Sequence, residues 1–212
     1  LIILTAFLAY GALGFADDFV KISMKRNLGL TAKQKLVLQI LIAAGLAVYQ
    51  VKMSPYGTSI LIPFADMYWD LGPFYVPFIA FVVVAMANSV NLTDGLDSLA
   101  AGVTFIVALF LAVAGYSLDS GSGAAYCAAL MGACLRFLAF NKYPAKVFMG
   151  DTGSLALGGF VAATAFILKM PIFICIVGFI YFIEVISVIL QIGFFKLTGG
   201  KRIFKMAPIH HH

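Results

Sequence analysis

The apolar positions of this chain neither alternate nor recur every third or fourth residue; they run on without interruption. Seven stretches are apolar almost throughout, at about Leu1–Ala16, Leu36–Val51, Phe74–Val90, Leu99–Ser117, Ala124–Phe140, Ser154–Lys169 and Pro171–Gly193. Each approaches the roughly 17–25 residues with which an α-helix crosses a bilayer. In hydrocarbon only helices or a closed barrel satisfy the backbone, and runs such as Phe81-Val82-Val83-Val84-Ala85-Met86 lack the in–out alternation of a barrel strand. The pattern predicts an all-α, polytopic transmembrane helix bundle with about seven membrane segments, one domain over residues 1–212. Between the second and third segments, Thr58-Ser59-Ile60-Leu61-Ile62-Pro63-Phe64 sets β-branched residues between Gly57 and Pro63, which predicts a short hairpin on the membrane surface.

The polar intervals orient this bundle. Alternating the segments puts residues Asp17–Lys35, Asn91–Ser98, Asn141–Gly153 and Phe194–His212 on one side. Eleven of the fourteen basic residues fall there, against Lys52 and Lys169 on the other side and Arg136 inside a segment. An excess of Lys and Arg marks the cytoplasmic face. The same face collects Asp17, Asp18, Asp94, Asp97 and Asp151, five of the nine acids. Acids contribute little to topology, so their gathering asks for a chemical reason.

Composition narrows the class further. At 63% hydrophobic and 11% charged, the chain falls far short of the roughly 25% charge of soluble domains, so lipid must solvate much of it. The net charge of +5 sits in short clusters between apolar runs, without the aromatic-interleaved basic patch of a nucleic-acid binder. Cys127, Cys134 and Cys175 lie in apolar runs with no metal-ligand spacing. The chain opens at Leu1 inside an apolar run, with neither Met nor a basic leader; this reads as a missing N-terminal portion rather than a signal peptide.

Asp17-Asp18-Phe19-Val20-Lys21 follows the first run. A charged helix end marking the interface is the plain explanation, but it fits poorly. That end is a helix C-terminus, where the dipole disfavours anions, and adjacent carboxylates raise one another's pKa unless a cation sits nearby. Lys21 supplies one such charge; a divalent metal or an acid–base task would supply the rest. Asn91-Leu92-Thr93-Asp94-Gly95-Leu96-Asp97-Ser98 opens the fourth segment with several good N-cap residues. One cap explains one residue, and not two aspartates in a loop without a base, so both readings stay open there. In Asn141–Ser154, Asp151 or Thr152 could cap the sixth segment. Gly150 and Gly153 also permit close backbone approach, a helix N-terminus attracts phosphate, and Asp151 is placed to hold Mg²⁺ against a phosphate oxygen. Phe148 is either an interfacial anchor or a platform for a base.

Two charges lie inside apolar segments. Arg136, five residues before Asn141, can snorkel to the cytoplasmic interface. Glu184 sits near mid-segment, where a carboxyl is costly and is usually functional or paired. The terminal His210-His211-His212 looks, on composition alone, like the start of a purification tag.

Four blocks together carry a resemblance. They are Gly14-Phe15-Ala16-Asp17-Asp18-Phe19-Val20-Lys21, Asn91-Leu92-Thr93-Asp94-Gly95-Leu96-Asp97, Asn141 through Ser154, and Thr198 through His212. In this order, and across essentially the whole chain, they resemble the polyprenyl-phosphate N-acetylhexosamine-1-phosphate transferases. Members carry Met-Ala-Pro-Ile-His-His-His within the chain, so the resemblance makes the triplet native. Family members have ten transmembrane helices, which implies that this chain lacks roughly the first two, part of the third and the last. Ser98 stands where many members have Gly.

The resemblance is closest to the branch of peptidoglycan synthesis that forms lipid I. It implies transfer of phospho-MurNAc-pentapeptide from UDP-MurNAc-pentapeptide to undecaprenyl phosphate, with Mg²⁺ and release of UMP, at the cytoplasmic face of a bacterial cytoplasmic membrane. It makes Asp151 the metal ligand and a catalytic residue. Asp17 and Asp18 become the residues that deprotonate or orient the acceptor, or supply a nucleophile in a two-step route. Lys21 and Lys33 would neutralise phosphate charge, Asn91 would bind substrate, and Phe148, Asn141, Asp94 and Asp97 would form the uridine pocket. His210, His211 and His212 would line the sugar–peptide side. A homodimer is what the family suggests. The rivals are a sister enzyme using UDP-GlcNAc or another UDP-N-acetylhexosamine, and a secondary transporter. A transporter places its charges near the midplane, where here only Glu184 lies.

Overall fold

The seven apolar runs become seven helices long and apolar enough to cross a membrane, in a computed structural model that describes residues 1–25, 29–53, 57–65 and 67–212. They are α1 (Ile2–Ser23), α2 (Ala32–Met53), α3 (Tyr75–Thr93), α4 (Leu99–Ser117), α5 (Gly121–Asn141) and α6 (Gly150–Ile167), then, after the short α7 (Ile174–Val177), α8 (Phe179–Leu197). The fold is an all-α polytopic bundle. Its one sheet among the described residues is a two-stranded hairpin, β1 (Ser59–Ile62) antiparallel to β2 (Met67–Asp70), with Ser59 opposite Asp70 and Ile62 opposite Met67.

Helix ends are where the apolar pattern and the structure part. α1 does not stop at Ala16 but runs two further turns, carrying Asp17 and Asp18 inside it. Lys21 makes this tolerable, because residues three and four apart share a helix face. α2 starts at Ala32, ahead of its apolar run. Thr31 Oγ1 accepts from the Gln34 backbone N–H at 3.3 Å, and Gln34 Oε1 accepts from the Thr31 N–H at 3.0 Å, the reciprocal arrangement of a capping box. The run Pro171–Gly193 is not one helix. A 3₁₀ turn (Pro171–Phe173) and α7 precede a break at Gly178, and α8 continues to Leu197.

The hairpin is stitched to the bundle. Leu61 N–H donates to the Lys169 carbonyl at 2.7 Å, Lys169 Nζ donates to the Gly57 carbonyl at 3.1 Å, and Ile60 is buried. Phe64, Tyr68 and Trp69 remain exposed, as suits aromatic side chains at a membrane–water interface.

At the centre stands α6, buried at every position from Ser154 to Phe166. Small residues allow the approach of its neighbours, as is usual where helices pack in membranes. A Cβ on Gly158 would come within 2.5 Å of Ala87 Cα in α3. A Cβ on Gly14 of α1 would overlap the Asp151 carbonyl oxygen and reach within 2.7 Å of Thr152 Cα. Polar cross-links complete the packing. Tyr10 OH donates to the Gln39 carbonyl at 2.9 Å, the Gln39 and Asn88 amides pair at 2.7 and 3.3 Å, and Thr104 Oγ1 meets Tyr181 OH at 2.6 Å. These contacts bring the C-terminal ends of α1, α3 and α5 and the N-terminal ends of α2, α4 and α6 to one end of the bundle.

Candidate active site

Three carboxylates converge at that end, although Asp151 is more than a hundred residues from Asp17 and Asp18. One oxygen from each of Asp17, Asp18 and Asp151 lies within 4.8 Å of the other two. Lys21 Nζ stands among them, at 2.6 Å from Asp17 Oδ2, 3.3 Å from Asp18 Oδ1 and 2.9 Å from Asp151 Oδ2. Lys35, from the first turn of α2, reaches the same Asp151 oxygen at 2.8 Å. The other Asp151 oxygen accepts from Asn91 Nδ2 at 2.7 Å, which also reaches Ser154 Oγ at 2.8 Å.

The two α1 aspartates are not equivalent. Asp17 is buried, with one oxygen taken by the Leu30 N–H at 2.8 Å and the other by Lys21. Asp18 is more open, its side chain 25% exposed against 4% for Asp17. Asp18 Oδ2 accepts from both the N–H and the hydroxyl of Thr152, at 2.9 and 2.8 Å, in the first turn of α6. Gly150 permits that docking: its φ is +65°, and a Cβ there would come within 2.9 Å of Asp18 Oδ2.

This donor set consists of oxygen alone, which matches a hard cation such as Mg²⁺ and not a thiolate- or imidazole-seeking metal. Three carboxylates against two ammonium groups leave the cluster one negative charge. The arrangement can hold a divalent cation beside a diphosphate, and its lysines can neutralise phosphate oxygens.

The remaining residues singled out in the sequence fall into different places. Lys33 is exposed and does not join the cluster. It lies two positions from Lys35 on one helix, which turns it to the opposite face; the cation beside Asp151 is Lys35. Asp94 closes the end of α3, and burial, with the Asp151 charge adding to it, pushes it up to about 6. Asp97 Oδ2 accepts from the Ala145 N–H at 2.9 Å. Asn141 is buried, its side-chain Oδ1 accepting from the Ser98 N–H at 2.9 Å and its Nδ2 donating to the Val147 carbonyl at 2.8 Å. Asp97 and Asn141 therefore hold the 141–149 loop against the α3–α4 loop. Ser98 has φ +70° and makes no side-chain cap, a conformation that favours glycine.

Phe148 is 75% exposed at the mouth of an apolar recess of about 300 Å³, lined with Phe7, Leu130, Phe137 and Leu157. Arg136 is exposed and lays its guanidinium 4.5 Å over the Phe140 ring. The histidines divide. His210 turns inward to Glu184, His211 is exposed beside it, and His212 Nδ1 accepts from the Lys205 N–H at 3.1 Å.

A family model described as glycosyl transferase family 4 matches residues 1–169. Curated relatives match over the whole chain. A phospho-N-acetylmuramoyl-pentapeptide-transferase of Clostridium perfringens (strain 13 / Type A) is 54% identical over 212 residues, covering 100% of this chain and 66% of the relative. One from Clostridium kluyveri (strain ATCC 8527 / DSM 555 / NBRC 12016 / NCIMB 10680 / K1) is 53% identical over 213 residues, with 100% and 67% covered. One from Thermoanaerobacter sp. (strain X514) is 50% identical over 211 residues, with 100% and 66% covered. The chain thus spans about two thirds of the length of these relatives.

Proposed function

The chain belongs to glycosyl transferase family 4, and on that footing we propose that its protein transfers phospho-MurNAc-pentapeptide from UDP-MurNAc-pentapeptide to undecaprenyl phosphate, releasing UMP at the cytoplasmic face of a bacterial membrane. The observation that carries this reading is the convergence of Asp17, Asp18 and Asp151 around Lys21 and Lys35 at the basic end of the bundle. The relatives' shared name supports the choice of donor.

In this reading an oxygen of the acceptor phosphate attacks the sugar-linked phosphorus of the donor. The bond to the bridging oxygen breaks, and UMP leaves with that oxygen. Asp18, the more open of the pair, takes a proton from the acceptor. Asp17 holds Lys21 and the chain at Leu30 in place. Lys21 and Lys35 face the charge that develops on the phosphate oxygens, which is where catalysis of phosphoryl transfer mostly lies. Asp151, with Asp18 beside it, would hold Mg²⁺, which would supply charge neutralisation on the diphosphate. Asp94 and the exposed Phe148 ring face the nucleoside, while Asp97 and Asn141 shape its pocket from behind.

The direct test uses the full-length protein in detergent with Mg²⁺ and radiolabelled UDP-MurNAc-pentapeptide. Label passes to a lipid product, with stoichiometric UMP, only when undecaprenyl phosphate is present. Equal or better use of UDP-GlcNAc would move the protein to the sister activity, and no transfer from either donor would end the proposal. Within the same assay, Lys35→Gln lowers turnover by about 10–100-fold, the range for a residue that orients or balances a metal ligand. Lys33→Gln, on the far face of α2, leaves it within about twofold, since surface changes away from a site are near neutral. The reverse order of effects would return Lys33 to the site.

A further inference from the structure

A carboxyl in the middle of a membrane helix needs a partner, and Glu184 of α8 finds one 26 residues later in the chain. His210 Nδ1 lies 3.0 Å from Glu184 Oε2, with both side chains 4% exposed. The His210 backbone N–H reaches the same oxygen at 3.4 Å. On the same turn, Ser187 Oγ donates to the Glu184 carbonyl at 2.6 Å and accepts from the Ile209 N–H at 3.0 Å. Two side chains of α8 thus anchor Ile209 and His210 through three contacts.

The other end of the imidazole faces the α3–α4 loop. His210 Nε2 is buried and has no hydrogen-bond partner among the described residues. It abuts Gly95, where a Cβ would run into it, and Gly95 lies between Asp94 and Asp97. A carboxylate only accepts, so against Glu184 the ring donates from Nδ1. A fully buried nitrogen without a partner calls for an explanation. Here it faces the loop that the proposed function assigns to the donor. The exposed His211 ring packs 4.2 Å from that of His210, so the place of one histidine sets the place of the next.

The geometry points to Glu184 as the positioning residue of the histidine segment. By meeting Nδ1 it fixes His210 with its Nε2 edge packed on Gly95 of the α3–α4 loop, and through the ring contact it holds the exposed His211 beside that loop, where His211 can meet the sugar–peptide part of the donor. Glu184 itself touches no substrate. This inference rests on the donor assignment made above, but the clamp it describes can be tested without it.

In the full-length protein, Glu184→Ala raises KM for UDP-MurNAc-pentapeptide about tenfold or more, as loss of an orienting partner does, while the Kd of UMP stays within about twofold. Glu184→Gln, whose amide oxygen still accepts the Nδ1 proton, recovers most of the loss. His210→Ala matches Glu184→Ala, and the double variant is no worse than either, the non-additivity of residues that act as a unit. Independently of activity, brief trypsin digestion cuts Glu184→Ala faster than wild type at Lys201, Arg202 and Lys205, and Glu184→Gln at the wild-type rate. Should Glu184→Ala fail to fold, Ser187→Ala, which frees only the Ile209 N–H, gives a smaller rise in KM and in cleavage. Additive losses, a UMP affinity that falls along with KM, or cleavage unchanged in every variant would each overturn the inference. A wild-type protein that does not use the donor would defeat the proposed reaction, while the digestion still decides whether the clamp exists.

Discussion

Asp151→Asn yields a folded protein whose transfer activity falls by about a thousandfold or more, the scale on which charge stabilisation works in phosphoryl transfer. Asparagine keeps the shape and one acceptor oxygen but removes the charge. Two ammonium groups, Lys21 at 2.9 Å and Lys35 at 2.8 Å, share the same oxygen of Asp151, and Asn91 holds the other. The substitution therefore takes the charge from a group that links the α1, α2 and α3 contributions to the site. If Asp151 holds the metal as proposed, the Mg²⁺ concentration for half-maximal residual activity shifts upward, since a charged oxygen ligand is lost. Binding of UMP changes far less. Both are measured on detergent-purified protein, beside a thermal melt that shows the fold intact. Near-normal turnover at ordinary Mg²⁺ would remove Asp151 from the metal site.

Gly14→Ala has the second largest effect, and it acts through packing. The new methyl would overlap the Asp151 carbonyl oxygen and press on Thr152 Cα at 2.7 Å. Both contacts are backbone in the first turn of α6, so no side chain can swing away. Overpacking of this kind costs about 1–3 kcal/mol or more. Because the displaced turn carries Asp151 and the Thr152 groups that bind Asp18, activity falls more steeply than stability. Gly45→Ala in α2, with nothing within 4 Å of the added Cβ, is the control. It replaces the poorest helix former short of proline with the best and is neutral or mildly stabilising. Equal melting temperatures for both variants would show that α1 and α6 are not in contact at Gly14.

What the sequence could tell about this fold follows from which forces are local. Long apolar runs commit a segment to a membrane helix whatever it packs against, so seven runs became seven spans. The hairpin was legible because its β-branched residues and its turn are adjacent in the chain. Helix ends were harder to read. Asp17 and Asp18 look like the end of α1 until Lys21, Thr152 and Leu30 are seen to satisfy them. The Thr31–Gln34 cap was a readable signal for the start of α2, overshadowed by the later start of the apolar run.

The site was legible as a set of residues and not as an arrangement. Neighbouring acids on one face suggested a metal and phosphate task. Choosing between Lys33 and Lys35 depended on helical phase relative to a residue 116 positions away from Lys35, which no spacing rule supplies. For Asp97 and Asn141 the resemblance implied a place in the uridine pocket; what no spacing could tell is that their hydrogen bonds to Ala145, Ser98 and Val147 also hold the loops together. Glu184 announced only that it needed a partner. Nothing near it in the chain could name His210.

The burial of α6 has a consequence for how the protein is made. This helix carries Asp151 and Thr152 in its first turn, and it has the lowest mean hydropathy of the seven spans because most of its surface meets α1, α3 and α4 and not lipid. Released alone into a bilayer, a segment so rich in Gly and Ala, with an aspartate in its first turn, partitions less readily than the Leu-, Ile- and Phe-rich spans around it. Its insertion during synthesis therefore depends on earlier helices waiting to receive it. α1 and α3, earlier in the chain, offer the small-residue surfaces that fit it, so the three-carboxylate cluster can close only once α6 has docked against them.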